Sequence, residues 1–226
     1  MKAIVIGASG GIGAALADAL EARGAAVERL SRRAHPSLDL TDEASIAAAA
    51  AALVPRAPFD LLIVATGLLH TAATGPEKSW RQLDAVALGA SFAVNAIGPM
   101  LVARHFLPLM QRRQPARLAF LSARVGSISD NRLGGWYGYR ASKAALNQLV
   151  RTLAIELGRS HPLAICVALH PGTVDTALSA PFQRGVPPGR LFTPAYSAAC
   201  LVDVIDRLTP EDSGELIDWA GEIIAP

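Results

Sequence analysis

Tyr139 and Lys143 stand four residues apart in the run Tyr139-Arg140-Ala141-Ser142-Lys143. On a helix that spacing sends both side chains from one face, a turn apart. A phenol beside a fixed ammonium is a proton-transfer pair: the positive charge favours the phenolate and draws the phenol toward the pH at which a general acid works. A second constellation opens the chain, where Lys2-Ala3-Ile4-Val5-Ile6 runs into Gly7-Ala8-Ser9-Gly10-Gly11-Ile12-Gly13. After a strand, glycines at Gly7, Gly11 and Gly13 let the backbone bend sharply and approach an anion closely, while the helix that follows offers its amide end to a pyrophosphate. One pattern moves a proton and the other cradles a dinucleotide.

A third feature bears on which dinucleotide. The second strand ends in Val27-Glu28-Arg29-Leu30-Ser31-Arg32-Arg33. An acidic residue at its end would accept hydrogen bonds from the ribose hydroxyls and repel a 2′-phosphate. Ser31 stands there instead, and Arg32 next to it can grip a phosphate through paired, charge-assisted hydrogen bonds, with Arg33 beside it. NADP(H) is therefore expected in preference to NAD(H), against the alternative that Arg32 and Arg33 form a solvated loop pair.

The elements that must hold these groups alternate. Strands are expected at Lys2–Ile6, Ala26–Leu30, Asp60–Val64, Arg117–Ser122, Leu163–Leu169 and near Glu215–Trp219, with a short one before Asp39. Helices are expected over 12–23, 42–53, 90–110, 139–158 and 195–207. The alanine run Ala47–Ala52, flanked by Ile46 and Leu53 with Thr41 or Asp42 as cap, reads as a closely packed helix. Alternation of this kind predicts an α/β fold, a single Rossmann-type doubly wound parallel sheet of about seven strands with helices on both faces. At 226 residues one domain accounts for the whole chain. The charge of +2 is spread along it, so nothing suggests a nucleic-acid surface. No apolar run is expected to reach the ~20 residues of a membrane span, and Met1–Ile6 leads straight into the turn, which leaves a cytoplasmic protein as the expectation. Cys166 and Cys200 lack ligand spacing and read as buried free thiols, with no metal site expected. His170, before Pro171-Gly172, reads as structural.

From the Gly-rich turn to Gly214–Trp219 the chain resembles the classical short-chain dehydrogenase/reductase family. The runs Val125-Gly126-Ser127-Ile128, Asp130-Asn131, Gly134-Gly135-Trp136-Tyr137 and Tyr139–Lys143 are similar to its C-factor-type carbonyl reductases. That resemblance implies that Gly7, Ser9, Gly11, Ile12 and Gly13 hold the pyrophosphate, with Gly10 at a position that is basic in many NADP relatives. Asp39 with Leu40 would meet the adenine. Ala65-Thr66-Gly67 takes the place of the family's Asn-Asn-Ala-Gly motif, with Ala65 replacing the second Asn. Ser122 and Asn95 would complete a catalytic tetrad with Tyr139 and Lys143. Tyr139 would donate the proton and Ser122 would hydrogen-bond the oxygen. Lys143 would lower the Tyr139 pKa and hold the nicotinamide ribose, and Asn95 would anchor a water that relays protons to Lys143. Pro171, Gly172, Val174 and Thr176 would pass the nicotinamide, and Ala177–Phe192 would cover the substrate.

The function so implied is NADPH-dependent hydride transfer between nicotinamide and a carbonyl or alcohol in a homodimer or homotetramer. Val125, Leu133, Trp136, Leu178 and Phe182 are candidates for an apolar substrate pocket. The alternatives are a cofactor-binding sensor or signalling protein with little turnover, and a sugar-nucleotide epimerase, which the short length and the Gly-x-x-x-Gly-x-Gly spacing disfavour.

Overall fold

The computed structural model describes residues 1–70 and 75–226. Strands β1 (Lys2–Ile6), β2 (Ala26–Leu30), β3 (Leu61–Val64), β4 (Ala116–Leu121), β5 (Ala164–His170) and β8 (Leu216–Asp218) form one sheet in the order β2-β1-β3-β4-β5-β8. Every pairing in it is parallel. Their apolar residues run continuously, as strands covered on both faces must, and period-two alternation sorts them. Ile4, Ile6, Leu62, Phe120 and Cys166 face one cluster, and Val5, Leu61, Ile63, Ala119 and Val167 the other. Helices α1 (Gly11–Ala22) and α6 (Pro194–Arg207) cover the second face through Leu16, Leu20, Leu201 and Ile205. Helices α2 (Glu43–Leu53), α4 (Gly98–Phe106) and α5 (Tyr137–Ser160) cover the first through Ile46, Phe106 and Leu146. Each fully buried large side chain contributes roughly 1.5–3 kcal/mol. The order of strands reverses between β1 and β3, and ligands of open α/β sheets bind beyond the carboxyl ends at such a point.

Three expectations are corrected. The main sheet has six strands among the described residues, and no strand lies between β2 and Asp39. There Leu38 and Leu40 are buried without a ladder. The Leu38 amide donates to Ser31 O, the Asp39 amide donates to Ser45 Oγ, and Pro36 has no amide to give. Two short strands absent from the expected set, β6 (Thr173–Val174) and β7 (Leu191–Phe192), pair in parallel as a separate sheet beside the substrate segment. The helical region expected over 90–110 starts earlier and is segmented into α3 (Ala85–Phe92), a π-helical turn Ala93–Ile97, α4 and a 3₁₀ turn. Within its 25 residues, Ala85–Leu109, an 18-residue window reaches a mean hydropathy of 1.8, so by length and composition this stretch does match a membrane span. Pro99 lies in the first turn of α4. Of the thiols, Cys166 is buried and Cys200 only partly so.

Candidate active site

The Gly-rich turn sits at the β1 carboxyl end because only glycine fits two of its positions. Gly7 has φ +89°, and a Cβ on it would lie 2.6 Å from Ala65 O. A Cβ on Gly13 would lie 2.2 Å from Gly7 O, which is how closely α1 crosses the turn. Gly10 caps α1 without any side-chain hydrogen bond to the helix amides, and no acid occupies the first turn. The cradle thus keeps its backbone donors for an anion, and Thr66 Oγ1 is enclosed nearby without a partner among the described residues. Both observations fit a dinucleotide pyrophosphate.

Beside the turn a recess of about 300 Å³ is lined by Gly7, Ser9, Ser31, Arg32, Asp39 and Leu40. Gly10, Ala65, Thr66 and Gly67 border it as well. Arg33 lies outside the lining, and its amide donates to Ser31 Oγ. Asp39 accepts hydrogen bonds from the Thr41 amide and hydroxyl, which hold its carboxyl below the usual range, helped by the charge of Arg32. Its carboxylate is therefore charged and preoccupied rather than open.

Through Gly10 and the 65–67 segment this recess joins a second one of about 210 Å³, where Ser122, Tyr139 and Lys143 meet Ile12, Pro171 and Thr176. Ser122 follows β4, while Tyr139 and Lys143 come from the first turns of α5. A third cavity, about 500 Å³, opens from Ser122 and Tyr139 and holds all five expected pocket residues, Val125, Leu133, Trp136, Leu178 and Phe182. Gly172 and Val174 border this cavity as well. Trp136 stacks edge-on against Phe182 at 5.2 Å and stands 6.3 Å from Tyr139.

The surroundings of Tyr139, Lys143 and Asn95 bear on their expected roles. Burial pushes the Tyr139 phenol up to about 12, rather than down, and pulls Lys143 from 10.5 to about 7. The reason is that Lys143 is itself almost fully enclosed and gives its Nζ proton to Leu121 O at 2.7 Å, with the Tyr139 ring centre 5.9 Å away. Asn95, fully buried in the π-helical turn, has its side chain hydrogen-bonded to protein partners. Its Oδ1 accepts from the Leu68 amide at 2.7 Å, and its Nδ2 donates to Leu68 O at 2.8 Å and to Ser142 Oγ at 3.0 Å. It clamps the segment after Gly67 to α5.

The sequence reading missed Asn147, which accepts the Ser122 hydroxyl at 2.6 Å. Its place four residues past Lys143 on the same helix face was the available signal. It also missed Arg124, paired with Asp218 at 3.2 Å and bordering the large cavity. His170 borders that cavity too. Burial lowers its pKa to about 4, so it is neutral, and its Nδ1 is enclosed without a partner among the described residues. The described residues hold no cluster able to bind a metal ion.

The profile of the short chain dehydrogenase family matches residues 32–186. The chain is 35% identical over 164 residues to the C-signal protein of Myxococcus xanthus, covering 73% of this chain and 90% of that one. It is 32% identical over 182 residues to the 1-hydroxy-2-glutathionyl-2-methyl-3-butene dehydrogenase of a Rhodococcus species, covering 79% and 74%. Among solved structures, the NADPH-bound carbonyl reductase from chicken fatty liver superposes with a TM-score of 0.86 at 28% identity, over 100% of this chain and 98% of that one. The chain belongs to the short-chain dehydrogenase/reductase family of NAD(P)-dependent oxidoreductases.

Proposed function

We propose that this oxidoreductase is an NADP(H)-dependent carbonyl reductase in which Tyr139 protonates the carbonyl oxygen. The observation that carries the reading is the meeting of Ser122, Tyr139 and Lys143 in one recess, continuous on one side with the Gly-rich cradle and on the other with a largely apolar cavity. Gly7, Ser9, Gly11, Ile12 and Gly13 would hold the pyrophosphate, Asp39 and Leu40 the adenine side, and Pro171 to Thr176 the nicotinamide. When bound, the reduced nicotinamide supplies the hydride. Tyr139, a neutral phenol in this environment, has the proton that a carbonyl oxygen needs as it becomes an alkoxide. Ser122 supports that charge by hydrogen bonding. Lys143 takes up the ribose hydroxyls, and Asn95 keeps the 66–68 segment against α5.

The NADP(H) preference rests on Arg32 and Ser31 lining the adenosine recess and on the NADPH named for the chicken relative. NAD(H) would bind the same cradle less tightly. The substrate is a small carbonyl compound with apolar substituents. The half-exposed apolar faces of the α3–α4 region, with Val86 80% and Ile97 52% exposed, support a homo-oligomer. Such a protein would work in the cytoplasm, without nucleic acid or membrane.

The test is NADPH oxidation by the purified protein against aldehydes, ketones and quinones, repeated with Tyr139→Phe. The variant should lose at least ~100-fold in turnover while binding NADPH normally. A variant that turns over like the native protein removes Tyr139 from the role. A second reading, a cofactor-binding signalling protein, is favoured by the relative named C-signal. It would prevail if NADPH binds and no carbonyl is reduced.

A further inference from the structure

Ser122 donates its hydroxyl proton to Asn147 Oδ1, and Asn147 Nδ2 is enclosed with no hydrogen-bond partner among the described residues. In that arrangement the one proton of Ser122 points at α5, and only lone pairs face the recess where a carbonyl oxygen would gain charge. Lone pairs there repel the developing alkoxide, and an enclosed NH₂ without a partner is itself unfavourable.

A half-turn of the carboxamide about its terminal bond answers the first problem and gives the NH₂ a partner, since its oxygen and nitrogen exchange places and the oxygen takes the enclosed position. Nδ2 then donates to Ser122 Oγ, the separation opening by a few tenths of an ångström to the usual N–H···O length, and the Ser122 proton is released toward the substrate. We infer that Asn147 is the positioning residue of the proposed reduction: its amide donates to Ser122 and thereby aims the serine proton at the substrate oxygen. The inference rests on the reductase reading above.

The packing around Asn147 supports it. A Cβ at Gly126 would lie 2.9 Å from Lys143 C and Cβ and 3.0 Å from Asn147 Nδ2. Only a glycine lets the segment after Ser122 press this closely on α5, so the amide is walled in and Ser122 is its one hydrogen-bond partner among the described residues. After the half-turn, the amide oxygen faces a Cα hydrogen of Gly126, a weak but favourable contact. Tyr139, Lys143 and Asn147 then form one stripe along α5, each four residues from the next, with Asn147 acting on the substrate only through Ser122.

The test is Asn147→Leu, made in the native protein and in Ser122→Ala, with NADPH and an aromatic aldehyde or ketone as probes. In the native background kcat should fall about tenfold, with KM and NADPH affinity within about twofold. In the Ser122→Ala background the same change should have no further effect, because two residues acting as one unit are not additive. An equal loss in both backgrounds marks a merely structural role and overturns the inference. So does an unchanged or raised kcat. A neutron structure of the native holoenzyme with a bound ketone decides the same point even if Asn147→Leu does not fold. Two deuterons on the Asn147 atom that faces Ser122 support the inference, and a Ser122 deuteron aimed at Asn147 overturns it. Absence of any carbonyl turnover in the native protein would instead be a failure of the reductase reading, which the neutron result does not share.

Discussion

Replacing Lys143 by methionine should destroy turnover and yet make the cofactor-free protein more stable near neutral pH. Lys143 is 2% exposed, and its Nζ has one partner among the described residues, Leu121 O. Burial lowers its pKa from 10.5 to about 7, a difference of ~3.5 units, which at ~1.36 kcal/mol per unit is about 5 kcal/mol in favour of the unfolded chain at neutral pH. Methionine fills the same unbranched path without a charge but leaves Leu121 O unpaired, a loss of ~1–3 kcal/mol. The net gain is about 2–4 kcal/mol, or ~4–16 °C in Tm for a chain of this size. The sign of the pH dependence follows from the lowered folded pKa. The destabilisation by Lys143 is full below about pH 7, where the folded state must carry the buried proton, and it is relieved as pH rises toward 10.5, since the unfolded state binds the proton more tightly over that interval. The advantage of Lys143→Met should therefore shrink by about 2 kcal/mol between about pH 7 and about pH 9. Urea unfolding of both proteins without nucleotide, at about pH 7 and about pH 9, measures it. A variant less stable than the native protein at neutral pH, or a difference that does not change with pH, would refute the account of Lys143 as a lysine held neutral by burial.

Arg32→Ala should weaken NADPH binding at least ~10-fold and NADH binding by less than about twofold, read from nicotinamide fluorescence titrations; equal losses would show that Arg32 does not read the phosphate. Gly13→Ala brings a Cβ to 2.2 Å from Gly7 O, so the turn must open, and nucleotide affinity should fall at least ~100-fold. Gly158→Ala, whose Cβ meets nothing within 4 Å, should leave it unchanged. Light scattering at micromolar concentration should report a mass above the 23.6 kDa of one chain, and Ile97→Asp, on the exposed face, should lower it; a 23.6 kDa species from the native protein would remove the oligomer.

The sequence by itself determined what depends on local periodicity and on steric need. Continuous apolar strands alternating with helices dictate a parallel sheet covered on both faces. Gly7 and Gly13 mark a turn that admits no side chain, and the four-residue spacing of Tyr139 and Lys143 places them on one helical face. Asp42 was legible as a cap of α2, and its carboxylate does accept from the Ala44 amide. Ser122, Tyr139, Lys143 and the cradle all met in adjoining recesses because strand ends and helix starts gather at one edge of such a sheet. The short strand expected before Asp39 was misread because Leu38 and Leu40 are apolar for burial, not for pairing.

Tertiary structure alone decided the protonation of the site and the direction of its hydrogen bonds. Spacing says that Tyr139 and Lys143 are neighbours, but the sign of a pKa shift depends on how much water each has lost, and both are enclosed by segments remote in sequence. Asn95 was readable as a site residue, yet its role as a clamp appears only when Leu68 and Ser142 are brought against it. Asn147 gains meaning only through contact with Ser122, 25 residues away. Hydrogen bonds and desolvation act over a few ångströms in space, and no pattern along the chain records those distances.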